Sequence, residues 1–233
     1  MNCHVCNTKY SVKAGKILKC PNCTHEYLVY EGDSIEYHTK QFRKDSTHHR
    51  AKKEFIHGKV QQAFHDARHK ICVGRVGLLH DYIGECNSLL DIGSGAGTFA
   101  HTIRKHIVGD FPEIHCLELD PALIEECERL GFPTFKDEFL TAQINQTYDM
   151  VTAWHVLEHI KDIRAFMEKA ISLSNKYVVI EIPHKRKVPQ TYDGHSHHFT
   201  KRSFNTFCDS LELEEYAVIE GIQRPALCLI GKT

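Results

Sequence analysis

No apolar run in this 233-residue chain approaches the roughly 18–20 residues that a membrane span requires. The N-terminus, Met1-Asn2-Cys3-His4, lacks a basic stretch leading into an apolar one, so a cytoplasmic protein without a secretory leader is expected. Seven prolines and fourteen glycines are too few for a collagen-like or low-complexity chain. With 42% apolar and 25% charged residues, a largely disordered chain is excluded as well. Charge of one sign is not in excess: 29 Lys and Arg face 30 Asp and Glu, for a net charge of −1. The length suits one full-sized domain with a small appendage.

Cysteine is what the chain has in abundance, ten in all. Without a leader, paired spacing points to a metal site in a reducing compartment rather than to disulfides. Cys3-His4-Val5-Cys6 and Cys20-Pro21-Asn22-Cys23 each place two thiolates on one tight turn. Two such turns facing each other form a tetrahedral S4 cage for structural zinc. Thr8 to Lys19 is long enough for a short hairpin turning at Gly15. So small a segment, with few large apolar groups, draws its folding energy from the metal. His4 and His25 are spare donors that four cysteines make unnecessary. The scattered Cys72, Cys86, Cys116, Cys127, Cys208 and Cys228 read as small buried hydrophobes.

The charge is uneven along the chain. Residues 1–80 carry 14 basic and 7 acidic side chains, and the other 153 carry 15 and 23. A basic N-terminal third suits a phosphorylated or nucleic-acid partner, or is a solvated helix face. From Ser46 to about Ile83, Ile56, Val60, Phe64, Ala67 and Ile71 recur at helical spacing, and Leu78, Leu79 and Tyr82 extend them. Ser46 and Thr47 are N-cap candidates and Gly84 is a stop. The expected organisation is a zinc ribbon at 1–35, a basic helical linker at 36–84 and an α/β domain at 85–233.

From residue 88 short apolar runs alternate with helical patterns. Ser88–Ile92, His115–Glu118, Pro133–Phe135, Tyr148–Ala153 and Tyr177–Ile182 read as strands. Helices are expected from Thr98, from Pro121 and over Asp162–Leu173. Such alternation implies a parallel sheet covered by helices on both faces.

Gly93-Ser94-Gly95-Ala96-Gly97 follows the first of these strands. A glycine turn between strand and helix brings backbone amides close to a ligand at the sheet's carboxyl edge. The dinucleotide fingerprint is G-x-G-x-x-G; this spacing is G-x-G-x-G, with Asp91 two residues ahead. An acid there repels a pyrophosphate and suits an ammonium. Glu118, at the end of the second strand, is placed to accept ribose hydroxyls. An amino acid at one end and a ribose at the other describe S-adenosylmethionine (SAM).

The run Leu90 to Thr98 closely resembles the first motif of class I SAM-dependent methyltransferases. Leu117 to Pro121 resembles their second motif and Tyr148 to His159 their fourth. The resemblance covers about residues 70–233 and implies a Rossmann-like seven-stranded methyltransferase sheet. By that similarity Asp91, Gly93, Ser94, Gly95 and Gly97 hold the methionine end, Glu118 the ribose, and Leu119 packs on adenine. Asp137 would approach the adenine amino group, and Trp154 would line the pocket.

Two further stretches should face the acceptor. These are Trp154-His155-Val156-Leu157-Glu158-His159 and Tyr192-Asp193-Gly194-His195-Ser196-His197-His198-Phe199. A histidine of ordinary pKa can take the proton an acceptor loses as it attacks the sulfonium. The second stretch resembles the loop after the fifth strand of nucleotide-sugar C-methyltransferases, which also carry an N-terminal zinc-binding domain. Tyr192 and His195 fall on that family's catalytic pair, and Gly194 replaces its glutamate. The resemblance implies a small polar acceptor, a nucleotide-linked sugar foremost, with phosphates that the basic segment could meet. His197 and His198 read as part of a solvated loop.

An alternative assigns a second divalent metal to His155, Glu158 and His159, which share one face if the segment is helical. A histidine from 195–198 would complete that site. A similar E-x-x-E-H element occurs in small-RNA 2′-O-methyltransferases and ubiquinone-pathway O-methyltransferases, with His155 here in place of the first glutamate. The plainer alternative has Glu158 and His159 only shape the pocket floor. Two other functions stay open: an RNA or other nucleic-acid methyltransferase, and a non-catalytic zinc-ribbon interaction protein. Exposed aromatics for base stacking are few over the basic residues 40–75, where only Phe42, Phe55 and Phe64 occur.

Overall fold

The computed structural model describes residues 1–12, 17–29, 59–107, 113–184, 195–222 and 226–233, with side chains from residue 67 onward in the first long helix. The expected turn at Gly15, the caps Ser46 and Thr47, and Tyr192 lie outside the described residues.

At the centre lies a seven-stranded sheet in the order β10-β11-β8-β7-β4-β5-β6. Its strands are β4 (Ser88–Ile92), β5 (Glu113–Leu117), β6 (Thr134–Phe135), β7 (Tyr148–Trp154), β8 (Ser174–Pro183), β10 (Glu215–Glu220) and β11 (Ala226–Lys232). β4 to β8 run parallel, while β11 pairs antiparallel with both β8 and β10. This is the Rossmann-like seven-stranded sheet that the sequence resemblance implies. The chain builds outward from β4 to β6, then returns to β4's other side as β7. The crevice at that reversal, at the carboxyl ends of β4 and β7, is where such sheets bind ligands.

The helices are set by local chemistry. α3 (Thr98–His106) opens on Gly97, held at φ 68°. α4 (Pro121–Arg129) starts with proline at its first turn, and the Asp120 side chain accepts the Ala122 amide at 2.9 Å. Asp162 caps α5 (Ile163–Ser172) in the same way through the Ala165 amide. α6 (Lys201–Cys208) carries a reciprocal capping box between Thr200 and Ser203.

The basic segment forms α1 (Lys59–Leu78) and α2 (His80–Gly84). Its buried stripe keeps the expected Leu79, with Leu78 and Tyr82 packed against it, and departs from the expected pattern earlier in the helix. Cys72, Val76, Leu79 and Ile83 pack into a core with Leu89, Phe99 and Ile103, while Ala67 is exposed. Arg75 lies on the buried face, so the helix does not hold all its charges in solvent. The six scattered cysteines are free and buried.

Near the N-terminus, β1 (Ser11–Val12), β2 (Ile17–Lys19) and β3 (Glu26–Leu28) form an antiparallel ribbon. A fourth strand, β9 (His197–His198), joins it from the far end of the chain, pairing antiparallel with β3. These histidines are therefore part of a sheet rather than of a solvated loop. The core is shared as well. Val5, Tyr10 and Tyr27 belong to one apolar cluster with Leu157, Phe199, Phe204 and Phe207. Burying one such aromatic removes enough apolar area to contribute about 2–3 kcal/mol.

Candidate active site and zinc ribbon

The glycine loop turns back under β5. The amides of Gly93 and Ser94 both donate to the Leu117 carbonyl, at 2.8 and 3.1 Å. Gly93 sits at φ 65°, and a Cβ there would come within 2.5 Å of Val156 Cγ2. Both the left-handed backbone and this close approach require glycine. Asp91 is buried, and its Oδ1 accepts the Thr152 hydroxyl at 2.7 Å. Its Oδ2 has no hydrogen-bond partner among the described residues. Burial pushes the Asp91 carboxyl up to about 7, against the pull of the Thr152 hydrogen bond and the Arg75 charge. An orphaned buried oxygen of this kind fits the ammonium of an amino-acid ligand.

Glu118 stands where the sequence places a ribose acceptor. Its Oε2 accepts the Gly95 amide at 2.8 Å, and its Oε1 the Leu119 and Asp120 amides at 2.8 and 3.0 Å. Burial still holds its pKa above the ordinary carboxylate value. Leu119 is half-buried beside it, and Asp137 is exposed just beyond β6. Trp154 ends β7, with the Phe99 ring edge-on at 4.9 Å and the Arg75 guanidinium 4.4 Å from its centroid.

Sequence reasoning missed both arginines. Arg68 and Arg75 lie seven residues apart on one face of α1, and Arg68 Nη1 comes 3.7 Å from where a Gly95 Cβ would stand. Their i, i+7 spacing was visible, but it looks the same on a solvated helix. Arg75 Nη2 pairs at 2.5 Å with Glu181 Oε1, whose side chain is fully buried in β8. The other Glu181 oxygen accepts the Ile222 amide at 2.8 Å.

Three histidines gather on Glu158. The segment after β7 is a 3-10 turn, Leu157–His159, rather than the regular helix that would align His155, Glu158 and His159. His155 takes a left-handed backbone at φ 58°, strained for a side-chain-bearing residue. Its amide donates to the Glu181 carbonyl at 2.8 Å. Its ring reaches Glu158 Oε1 at 3.4 Å and Glu181 Oε1 at 3.2 Å. Burial opposes the charge on His155, and the two carboxylates outweigh it, holding the imidazolium up to about 9. Glu181, beside that charge and Arg75, is held down to about 2 despite its burial. His159 Nε2 lies 3.8 Å and His195 Nε2 4.0 Å from the same Glu158 oxygen, with the two rings edge to face at 4.6 Å. Neither Glu158 oxygen is hydrogen-bonded among the described residues, although the side chain is 1% exposed.

In the ribbon the sulfurs of Cys3, Cys6, Cys20 and Cys23 all lie within 4.8 Å of one another. Cys3 and Cys23 are 3.6 Å apart, Cys6 and Cys20 3.4 Å. A tetrahedral zinc about 2.3 Å from each sulfur spaces them roughly 3.8 Å apart, so the cluster is compatible with zinc. The amides of Val5 and Cys23 point at Cys3 and Cys20 sulfur, at 3.4 and 3.5 Å. Asn7 and Thr24, each following the second cysteine of its pair, take φ 57° and 66°. His25 is not a ligand: it lies between Tyr10 and His197.

Residues 48–216 match a family model described as a methyltransferase domain, and the chain belongs to that family. It is a SAM-dependent methyltransferase of the class I fold. No match was found among curated proteins. Among solved structures, it resembles the SAM-bound magnesium protoporphyrin IX methyltransferase of Synechocystis PCC 6803 at 12% identity and TM-score 0.61, over 88% of this chain and 99% of that one. It also resembles CalS10, a SAM-bound amino pentose methyltransferase of Micromonospora echinaspora, at 17% identity and TM-score 0.57, over 75% and 96%. A SAM-dependent methyltransferase of Archaeoglobus fulgidus matches at 16% identity and TM-score 0.57, over 71% and 94%. Among the described residues no helix is long and apolar enough to cross a membrane.

Proposed function

We propose that the chain methylates a small polar acceptor, with a nucleotide-linked sugar as the leading candidate, and that His195 takes the acceptor's proton. The supporting observation is the convergence of His195 and His159 on the buried Glu158 carboxylate. SAM, when bound, supplies an electrophilic methyl on sulfur. Asp91 would receive its ammonium, the backbone of Gly93, Ser94, Gly95 and Gly97 would pass close along its methionine end, and Arg68 would face its carboxylate. Glu118 would accept the ribose hydroxyls, with Leu119 and Asp137 at the adenine and Trp154 along the pocket wall.

The histidines divide the remaining work. His155 is cationic at neutral pH and already held by two carboxylates, so it orients Glu158 and has no lone pair to offer. His195 and His159 approach the same Glu158 oxygen. Glu158 would stabilise the imidazolium that forms when one of them accepts a proton. Tyr192 would act beside His195. The sugar preference rests on the loop resemblance together with an amino pentose methyltransferase among the structural neighbours. A nucleic-acid acceptor is less favoured because two arginines of the basic helix turn toward the cofactor loop and the sheet instead of solvent.

Incubation with SAM and a panel of nucleoside diphosphate sugars, reading release of the demethylated cofactor, tests this. A turned-over sugar is expected, as is a fall of about 10²–10⁴-fold in kcat for His195→Ala with cofactor affinity unchanged. Silence across the panel removes the acceptor, and an unaltered kcat removes the base.

A second reading has one observation in its favour: ligand atoms of Glu158, His159 and His195 lie within 4.8 Å of one another. Two imidazoles and a carboxylate are a donor set for a divalent transition ion, which would polarise an acceptor oxygen.

A further inference from the structure

A chain of hydrogen bonds leaves the first cysteine turn and ends beside the catalytic cluster. Its direction follows from the groups at its ends. The Lys161 carbonyl can only accept, so His197 Nε2, 3.3 Å away, carries the hydrogen. In a neutral ring His197 Nδ1 is then an acceptor, and His25 Nε2–H donates to it at 3.1 Å. His25 Nδ1 accepts the Tyr10 hydroxyl at 2.8 Å, and the Tyr10 oxygen accepts the His4 amide at 3.3 Å. His4 sits between Cys3 and Cys6, and Lys161 lies two residues past His159. One end is thus the metal-holding turn and the other is the exit of the turn carrying Glu158 and His159.

A second connection reaches the other half of the cluster. β3 pairs with β9 through Tyr27 and His197 and through Glu26 and His198. The Leu28 amide donates to the Ser196 carbonyl at 2.9 Å, one residue from His195. Just past β9, Phe199 bridges to His184, the residue after β8, while the ribbon adds a contact from Thr24 Oγ1 to Thr200 Oγ1 at 2.7 Å. The strand next to His195 therefore has the ribbon on one side and the main sheet on the other.

We propose that the ribbon is an internal brace that positions His195 against Glu158 and His159, with Tyr10, His25 and His197 as its positioning residues. It rests on the reading of His195 as the base, but makes a separate claim about where that side chain is held. The ribbon spends β3 and its buried histidine within this chain, so zinc at the four cysteines would order the acceptor side while leaving the glycine loop untouched.

The test uses the full-length, zinc-replete protein, with His197→Phe, which keeps an aromatic ring and loses both hydrogen bonds, and the milder Tyr10→Phe. Hydrogen exchange is followed over 155–161 and 195–200, the His159–His195 ring contact by histidine-labelled NMR, and binding of S-adenosylhomocysteine by calorimetry. Expected for His197→Phe are exchange at 196–198 at least tenfold faster, loss of the ring contact, and cofactor affinity within about twofold of wild type. Tyr10→Phe should show the same pattern more weakly, and removal of zinc by a chelator should show it fully. If His197→Phe loses cofactor binding with its fold, Tyr10→Phe and chelation decide. Unchanged exchange and an intact ring contact in both of these overturn the brace. Their loss alongside a His195→Ala enzyme of normal turnover leaves the brace standing and removes the base.

Discussion

Glu118 Oε2 accepts the amide of Gly95 at 2.8 Å across 23 residues of sequence, tying the end of β5 to the middle of the glycine loop. With the Leu119 and Asp120 amides on its other oxygen, the carboxylate is oriented by three backbone donors before any ligand arrives. The cofactor's ribose hydroxyls would then meet a fixed acceptor and need not order a mobile one. Replacing Glu118 with Gln turns one acceptor into an NH2 group facing backbone N–H donors. The expected result is a loss of at least tenfold in SAM affinity by calorimetry, in line with the roughly 1.5–3 kcal/mol of a charged hydrogen bond. Unchanged affinity in a folded variant would remove Glu118 from the cofactor site.

If Asp91 receives the cofactor's ammonium, binding has a pH dependence of definite sign. Burial raises its carboxyl to about 7 in the ligand-free protein, so roughly half is protonated at neutral pH. An ammonium partner favours the ionised form and lowers that value, so binding releases a proton below and around pH 7. SAM affinity should rise from pH 6 to pH 8. Calorimetry in buffers of different ionisation enthalpy should detect up to one proton released. Asp91→Asn should abolish both effects along with part of the affinity.

The buried Arg75–Glu181 pair yields an asymmetric prediction. Glu181 is fully buried and faces both Arg75 and the His155 imidazolium. Glu181→Gln therefore leaves two cations facing a neutral amide, and a loss of about 3–5 kcal/mol in unfolding free energy is expected. Arg75→Met leaves Glu181 still paired with His155 and should cost less. Equal losses, measured by denaturant unfolding, would show that His155 does not share the carboxylate's charge.

His197 makes acid pH a selective stress on the junction of ribbon and domain. It is buried, and burial followed by the charge of neighbouring His4 lowers its pKa to about 3. Its ordinary value in the unfolded chain is about 6.5. Between those values the unfolded state binds a proton that the folded state does not, so stability is lost as pH falls from about 6.5 toward 3. The slope is roughly 1.4 kcal/mol per pH unit for such a group. His197→Phe, less stable at neutral pH, should lose stability more gradually on acidification.

What the sequence disclosed follows a physical line. Asp91, the glycine loop, Glu118 and the paired cysteines sit at fixed short spacings, because one turn or one strand end must present them together. A single chain pattern therefore reveals them. Arg75 with Glu181, 106 residues apart, and His25 with His197, 172 apart, meet only through the fold. No local period marks such contacts. His197 and His198 are polar and follow Gly194, His195 and Ser196, which is how a loop reads. Their strand character comes from β3, a partner near the opposite end of the chain. The helical reading of 155–159 failed for a related reason: the left-handed His155 is sustained by Glu181, which sits on another strand.

Divalent ions separate the two uses of Glu158. If His195 keeps its ring nitrogen for the acceptor proton, zinc-replete protein should take up no second ion with submillimolar affinity. Manganese added to it, followed by its paramagnetic resonance signal, should remain free in solution. In that case Glu158→Gln should lower kcat without changing the manganese spectrum, because the carboxylate acts by stabilising an imidazolium. Tight uptake of one manganese per chain, abolished by Glu158→Gln or His159→Ala while the ribbon zinc stays in place, would instead make His195 a ligand. The acceptor's proton would then be lost from a metal-polarised oxygen, and His195→Ala should be partly restored by raising the ion concentration, which no base variant would show.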